Sequence, residues 1–286
     1  MRRRILLAGL AAAGLALAAP APPPHDLSTN QKALVAKAGK VQPESCAQVD
    51  DSQQCHANYA AGCSDSDHPN YDAYLNLVKN QLPDSALPPV KVLDESDIAA
   101  LDAALPTPLH RGNHALYADE LAQMGEGNIY ALTGYLYLVQ PADAESSNCE
   151  LTAPDDVDYH IVIGFDPAVA QQLASGAHLT KKQQAALKAQ GVVVEMTPHS
   201  RAQSHPAWDD TLLAGYVGRQ VKAVGQLLVD NEHRVPKDDC ALPNHKATCW
   251  RKSVWELHPV TQFYICTSTT PCSSNSSHWA KLEDKP

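Results

Sequence analysis

The sequence lacks the short motifs that mark several common classes of enzyme. It contains no Gly-x-Ser-x-Gly nucleophile elbow, no Walker phosphate-binding loop and no His-Glu-x-x-His pattern. Each of these motifs holds a nucleophile, a triphosphate or a catalytic zinc ion in a fixed local geometry. Their absence argues against a serine hydrolase, a nucleoside triphosphatase and a zincin-type metalloprotease.

Basic residues are scarce in this chain. It has 22 lysine and arginine residues against 32 aspartate and glutamate residues, which gives a formal net charge of −10 at pH 7. Non-specific binding to nucleic acid depends on basic side chains that neutralise phosphates. Non-specific nucleic-acid binding is therefore not expected.

The apolar run from Ile5 to Ala19 is shorter than the roughly 20 residues that a membrane-spanning helix needs, and no stop-transfer segment follows it. Three arginines precede this run, and a small-residue site at 16–18 ends it. The pattern predicts a secretory signal peptide over residues 1–18, cleaved after Ala18. We therefore expect a periplasmic or secreted protein whose mature form has no transmembrane anchor.

No two cysteines have the Cys-x-x-Cys spacing of a zinc ribbon or a redox site. An even number of cysteines in an exported chain predicts at least three and most simply four disulfides, with zinc binding as the alternative. The sequence does not determine the pairing. The eight cysteines are Cys46, Cys55, Cys63, Cys149, Cys240, Cys249, Cys266 and Cys272.

The N-terminal third of the mature chain has a helical pattern. Residues 19–43 begin with a Pro-rich stretch, continue with a polar segment, and are expected to form a flexible lead-in. Residues 44–111 contain three clustered cysteines and two helical patterns, at 71–80 and 96–105. Such a small part buries little apolar surface, so we expect disulfides to hold it together, and we assign it no chemistry.

Residues 112–272 show the alternation of β-strands. The predicted strands cover residues 128–140, 157–165, 192–197, 221–229 and 251–266. A helical segment separates the second strand from the third, and a short helix near Trp208 separates the third from the fourth. Glycines that permit bends lie within the first and fourth strands, at Gly134 and Gly225.

This order of elements predicts a mainly β fold with helical additions. We expect a five-stranded Greek-key barrel of the OB type, joined to the small helical, cystine-bearing N-terminal part. An open antiparallel α+β sheet with helices on one face is the alternative. The Ser- and Asn-rich residues 273–286 are expected to form a flexible tail.

The third strand of an OB-type barrel pairs with both the second and the fifth, so the outer faces of these strands are adjacent. Trp255 and Leu257 are expected to face the core. The outer faces carry five side chains that could hold one divalent metal ion: Asp158, His160, Glu195, Glu256 and His258. Ordinary solvated pairs between neighbouring strands are the alternative.

Three further residues are candidates for catalysis or for binding an anion. Arg201 and Arg251 could receive a group such as phosphate, and His199 could transfer a proton. His199 and Arg201 lie in the segment 197–205, which we expect to be a loop between a strand and a helix. A helix start capped by Ser204 is the alternative.

Two other groups each have two interpretations. Tyr135 and Tyr137 could stack against a base or a sugar, or could be half-buried beneath the N-terminal part. Residues 230–233 could form a second polar site, but their Asp and Asn favour a tight turn.

Three sequence motifs resemble those of a group of uncharacterised exported bacterial proteins. They are Trp255-Glu-Leu-His-Pro-Val, Cys55 with Gly62-Cys63, and Tyr71-Asp-Ala-Tyr-Leu-Asn. The resemblance covers most of the mature chain. It implies no activity, because no function or catalytic residue is known for the group.

Two functional classes stay open. A binding protein of the cell envelope would hold a polar or anionic ligand on the outer face and the 197–205 segment, with the two arginines and two tyrosines as contacts. A phosphodiester hydrolase would use His160, Glu195 and His258 to hold a metal ion that activates water, with His199 as proton shuttle. The binding hypothesis is favoured because no recognised catalytic motif supports the other.

Overall fold

A computed structural model of the chain describes residues 27–41, 45–46, 49–64, 71–176 and 179–284. The predicted signal peptide, residues 1–18, lies outside the described residues. In the part of the chain described, no helix combines the length and the apolar character needed to cross a bilayer.

The described residues form nine α-helices and seven β-strands. The helices are α1 Leu27–Ala38, α2 Ser52–Asn58, α3 Ala73–Lys79, α4 Glu95–Ala104, α5 Ala118–Met124, α6 Pro167–Ala174, α7 Lys181–Lys188, α8 Pro198–Ser204 and α9 Asp210–Ala214. The strands are β1 Val92–Leu93, β2 Ile129–Pro141, β3 Tyr159–Gly164, β4 Gly191–Met196, β5 Gln220–Val229, β6 Trp255–Cys266 and β7 Trp279–Lys281. The chain is therefore a mixed α/β fold rather than a mainly β one.

Five strands close into a ring of backbone pairings. Strand β2 pairs with β3 and β5, β3 with β4, β4 with β6, and β6 with β5. Every pairing within the ring is antiparallel except β4 with β6, which is parallel. The third predicted strand is β4, and its predicted pairing with the second and fifth strands is confirmed. The pairing of β2 with β5 closes the ring, whereas the strands at the two edges of an open sheet do not pair with each other. Strands β1 and β7 add to β2 and β6.

The main hydrophobic core draws side chains from all five strands of the ring. Alternation placed these side chains correctly in β3 and β4, where Ile161, Ile163, Val192 and Val194 are buried in the core. Trp255 of β6 is also buried there, as expected. The opposite faces of β3 and β4 carry His160 and Glu195.

The alternation breaks in two strands. In β2 the register shifts between Leu136 and Leu138, so Tyr137 and Leu138 both pack into a second apolar cluster, whereas regular alternation would place them on opposite faces. In β6 the register against β5 shifts around Gly225, and Val260 joins the main core, although alternation from Glu256 and His258 would place it on the polar face. Proline cannot donate a ladder hydrogen bond, so Pro259 is a local cause of this second shift.

The segment expected to be a loop after the third strand is helix α8. Thr197 caps it, because its Oγ1 accepts a hydrogen bond from the Ser200 amide at 3.1 Å. Pro198 occupies the first turn, where its missing amide hydrogen is not needed. Ser204 is the last residue of this helix and does not begin another one.

Both ends of the described chain pack against the fold. Leu34 and Val35 of α1 contact the apolar cluster that contains Tyr74 and Leu228. Strand β7 pairs with β6, and Leu282 is fully buried. The described parts of the expected flexible lead-in at 19–43 and flexible tail at 273–286 are thus built into the structure.

Four disulfides are formed, as expected in place of zinc binding. They join Cys46 to Cys63, Cys55 to Cys149, Cys240 to Cys249, and Cys266 to Cys272. The Cys55–Cys149 bond links α2 to the connection between β2 and β3. The described part of residues 44–111 is consequently tied to the sheet and packs on it.

Candidate functional site

Strands β3, β4 and β6 bring the five predicted metal ligands together. His160 lies opposite Glu195 in the ladder between β3 and β4. The Oε1 atom of Glu195 is 3.1 Å from His160 Nε2, and its Oε2 atom is 3.2 Å from His258 Nδ1. The same nitrogen of His258 is 3.1 Å from Glu256 Oε1. Ligand atoms of Asp158, Glu195 and His258 lie within 4.8 Å of one another.

These side chains are buried, which corrects the expectation of a solvated outer face. Glu195 and His258 have no exposed surface, Asp158 and Glu256 are 1% exposed, and His160 is 7% exposed. The cover includes α3, to which the sequence assigned no chemistry. A polar face of a strand can thus be interior when another part of the chain packs over it.

Arg251 is the central cation of the cluster. Its Nη2 atom is 3.0 Å from Glu195 Oε1, and its Nη1 atom is 3.2 Å from Asp230 Oδ2 and 3.0 Å from Glu256 Oε2. These three carboxylates hold its pKa above its ordinary value, against the effect of burial. Arg251 therefore balances buried charge within the protein, which corrects its expected role as a receptor for phosphate.

Lys79, at the end of α3, is the second fixed cation. It is almost fully buried, and its Nζ atom is 2.8 Å from Glu145 Oε2 and 3.6 Å from Asp230 Oδ2. Burial alone would lower the pKa of a lysine, but the two carboxylates keep the pKa of Lys79 well above its ordinary value. Sequence reasoning missed Lys79 and Glu145, and it favoured a tight turn over a polar site at Asp230, since a charged residue at a helix end or in a loop is normally solvated.

Asp158 has no comparable partner. Neither of its carboxylate oxygens has a hydrogen-bond partner, and no lysine or arginine among the described residues is within ion-pair distance of it. Burial raises the pKa of Asp158 to about 7, an effect that His258 opposes. His258 Nε2 is likewise buried without a hydrogen-bond partner, and Glu195 Oε2 is close to His258 without the alignment of a hydrogen bond.

The two histidines of the cluster differ from exposed histidines. Burial lowers a histidine pKa, but the contacts with Glu195 outweigh it and raise the pKa of His258 to about 10. Glu195 also raises the pKa of His160. Burial in turn opposes ionisation of Glu195, yet its two histidine neighbours hold the pKa of that carboxyl well below its usual range.

The cluster holds more acid than fixed base. Its carboxylates are Glu145, Asp158, Glu195, Asp230 and Glu256. Against these five, Lys79 and Arg251 are the permanent cations among the described contacts, which leaves three negative charges. Protons on His160, His258 and Asp158 can balance this excess, or a divalent cation can replace most of them.

Three groups of side chains in the described residues could hold a metal ion, and all share Glu195. Arg251 contacts every member of the group formed with Asp230 and Glu256. Lys79 contacts Glu145, which belongs to the group formed with His160. The remaining group is Asp158, Glu195 and His258. Within the described residues, neither Asp158 nor His258 contacts a lysine or an arginine. This group is therefore the best candidate for a metal ion.

Arg201, on α8, donates hydrogen bonds to backbone carbonyl groups. Its Nη1 atom donates to Met196 O at 2.7 Å, and its Nη2 atom donates to Val157 O at 3.0 Å and Asp155 O at 3.1 Å. Its guanidinium also lies 3.6 Å from the centre of the Tyr159 ring. These contacts fasten α8 to the start of β3, which corrects the expectation that Arg201 binds an anion.

His199, also on α8, stacks on His56 of α2 with 4.3 Å between ring centres. Burial lowers the pKa of His199. No described contact joins His199 to the cluster, so its expected role as proton shuttle has no geometric support. The two stacked imidazoles connect α2 to α8.

We expect the His56 side chain to make the folded protein less stable in mild acid. Burial and then the charge of His199 lower its pKa from 6.5 to about 4. The unfolded chain takes up a proton between these pH values that the folded chain excludes, so the free energy of unfolding should fall by about 3 kcal/mol as pH drops from 6.5 to 4. Urea unfolding across this range should show a smaller fall for His56→Gln. The exposed control His245→Gln should match wild type, and equal falls in all three proteins would contradict the assignment.

The remaining candidates have structural roles. Tyr137 is buried, and its hydroxyl donates to Asp166 O at 2.9 Å and accepts from Asp166 N at 2.8 Å, so it cannot stack against a ligand. Tyr135 is half-buried against the same cluster. Asn231–His233 form the favoured tight turn, as one turn of 3-10 helix. Asp230 before it contributes to the buried cluster, which the turn pattern alone did not indicate.

The motif Trp255-Glu-Leu-His-Pro-Val, which carries the resemblance to exported bacterial proteins, forms the start of β6 and supplies two members of the cluster. That resemblance stays a prediction. Comparison of the chain with protein-family models, with curated proteins and with solved structures found no match.

Proposed function

We propose that this chain is an exported metal-binding protein that holds one divalent transition-metal ion through Asp158, Glu195 and His258. The observation that carries the proposal is the buried Asp158 carboxylate, which has no hydrogen-bond partner and lies beside a second carboxylate and an imidazole. An unpaired buried charge costs several kcal/mol, and a bound cation removes that cost. One nitrogen and two oxygen ligands suit Zn²⁺ or Mn²⁺.

The neighbours of these ligands support the proposal. His160 lies 3.1 Å from Glu195 Oε1, and Glu256 Oε1 lies 3.1 Å from His258 Nδ1. Groups that contact metal ligands fix their orientation, and carboxylates that contact ligating histidines are common in metal sites. His160 and Glu256, two of the five predicted ligands, are thus assigned to positioning Glu195 and His258.

Binding is favoured over phosphodiester hydrolysis. The three ligands are at most 1% exposed, so a phosphodiester cannot reach an ion held by them unless the covering elements open. The proton shuttle expected for the hydrolase, His199, contacts His56 instead. Both observations favour a function that depends on holding the ion.

The test is metal stoichiometry with Asp158→Asn as the variant. Asparagine keeps the shape of the side chain and removes its charge. Native mass spectrometry after incubation with Zn²⁺ or Mn²⁺ should show one ion on wild type and binding at least tenfold weaker, a loss of about 1.4 kcal/mol, for the variant. Asp155→Asn, an exposed change three residues earlier, is the matched control and should bind like wild type.

Without metal, Asp158→Asn should be at least as stable as wild type, because it removes a buried unpaired charge. Absence of a bound ion in wild type, or equal binding by Asp158→Asn, would refute the proposal. Turnover of a phosphodiester by wild type, abolished in Asp158→Asn, would replace binding with hydrolysis as the function.

We also propose that the ring of five strands is an OB-like barrel and that residues 1–18 direct export. The order and directions of the pairings support the first proposal. The four disulfides support the second, because such bonds persist in oxidising compartments. Protein recovered from the periplasm or medium should begin at Ala19 on N-terminal sequencing. Protein found only in the cytoplasm with a start at Met1 would contradict export.

A further inference from the structure

A cavity of about 710 Å³ lies between α4 and the segment that the Cys240–Cys249 disulfide closes. Its size is that of a small-molecule site. Apolar surface from Ile98, Ala99, Leu105 and Leu242 lines much of it. None of the residues that line it belongs to the proposed metal site, so the cavity requires its own explanation.

Arg234 contributes a cation to this cavity. Its side chain is 10% exposed, and its Nη1 atom donates to Asp239 Oδ2 at 2.9 Å. Its Nε atom is buried and has no hydrogen-bond partner. A guanidinium stays charged at any physiological pH, so Arg234 keeps a positive charge at the wall of this cavity.

Two other charged residues line the cavity. Lys252 is 29% exposed, and its Nζ atom lies 2.6 Å from Glu95 at the surface. Asp102 accepts a hydrogen bond from Ser253 Oγ at 2.7 Å. Burial raises the pKa of Asp102 to about 7, so this carboxyl is only partly ionised at neutral pH and opposes an anion less than an exposed aspartate would.

We propose that this cavity binds a small amphipathic anion, whose apolar body lies against α4 and whose carboxylate or sulfonate accepts hydrogen bonds from Arg234 and Lys252. The apolar lining and the two cations of the cavity, Arg234 and Lys252, are the features that such a ligand matches. The site is separate from the metal cluster. It does not depend on the proposed metal-binding function.

The test uses the fluorescent probe anilinonaphthalene sulfonate, which combines an aromatic body with one sulfonate. Titration of wild type should show one saturable site per chain. Ala99→Trp fills the cavity and should weaken binding at least tenfold. Ala100→Trp, the next residue of α4, is exposed and does not line the cavity, so it should bind within twofold of wild type.

Competition identifies the part of the ligand that is recognised. Decanoate should displace the probe at a concentration at least tenfold lower than decanol does, and Lys252→Gln should reduce this preference. Thermal unfolding of each variant must stay cooperative, because the probe also binds partly unfolded protein. Protein treated with a chelator should bind the probe as well as untreated protein does.

Equal displacement by decanol and decanoate would refute recognition of an anion. Equal probe binding by Ala99→Trp and wild type would refute the location. Failure of wild type to bind one probe molecule saturably would refute the proposal as a whole. None of these results would affect the metal-binding proposal, which Asp158→Asn tests separately.

Discussion

Replacement of Arg251 with methionine is expected to lower the free energy of unfolding by about 5 kcal/mol, the upper end of the cost of removing one partner of a buried ion pair. Arg251 contacts Glu195, Asp230 and Glu256 at distances of 3.0 to 3.2 Å. Methionine retains most of the volume but leaves three buried carboxylates without their shared cation. Urea unfolding followed by tryptophan fluorescence measures the loss.

Arg219→Met is the matched control for this prediction. The Nη2 atom of Arg219 donates one hydrogen bond to Cys266 O at 2.9 Å, and the described residues offer it no ion pair, so its loss should cost about 1 kcal/mol. Addition of Glu256→Gln to Arg251→Met should restore part of the lost stability, because it removes one unbalanced charge. A cost below about 1.5 kcal/mol for Arg251→Met would show that the carboxylates are neutralised in another way.

Removal of the Cys55–Cys149 disulfide, by replacing both residues with alanine, should lower the free energy of unfolding by about 4.5 kcal/mol. The bond joins residues 94 positions apart, so its loss greatly increases the freedom of the unfolded chain. The Cys266–Cys272 bond joins residues only 6 positions apart. The corresponding change there should cost about 2 kcal/mol by the same chain-entropy relation. Urea unfolding of both double variants tests the difference, and equal losses would contradict it.

The Cys55–Cys149 disulfide should also help to hold α3 in place over the cluster. Cys149 lies four residues after Glu145, which pairs with Lys79 of α3. Loss of the bond should therefore increase amide hydrogen exchange in α3 while β4 stays protected. Unchanged exchange in α3 would show that the bond contributes to global stability without holding the cover in place.

The positions of the ligands along their strands were predictable from sequence, and their environment was not. Successive side chains of a strand point to opposite sides, so alternation alone assigns His160, Glu195 and His258 to the faces opposite the apolar residues. Alternation does not say what packs over a face. Lys79 comes from a helix far away in sequence, and no local pattern connects it with Glu195.

The arginines illustrate a second limit. A sequence shows that Arg201 and Arg251 carry a positive charge, but the partner of that charge depends on which groups the fold brings close. Arg201 donates to backbone carbonyls and Arg251 contacts three carboxylates. Each set includes partners that are distant in sequence, 46 positions away for Arg201 and 56 for Arg251, so the local sequence could not reveal them.

The sequence by itself determined where the five ring strands lie along the chain and which faces of β3 and β4 are apolar, because strand alternation acts within a few residues. Only the tertiary structure decided that Glu195 lies between two histidines and Arg251, and that α3 covers it. The three partners of Glu195 lie 35, 56 and 63 positions away from it in the sequence, and Lys79 of α3 lies 66 positions from its partner Glu145. These contacts depend on strand register and on the packing of α3. Register and packing are set by the whole fold, since a shift of one residue would turn each strand's polar face into the core.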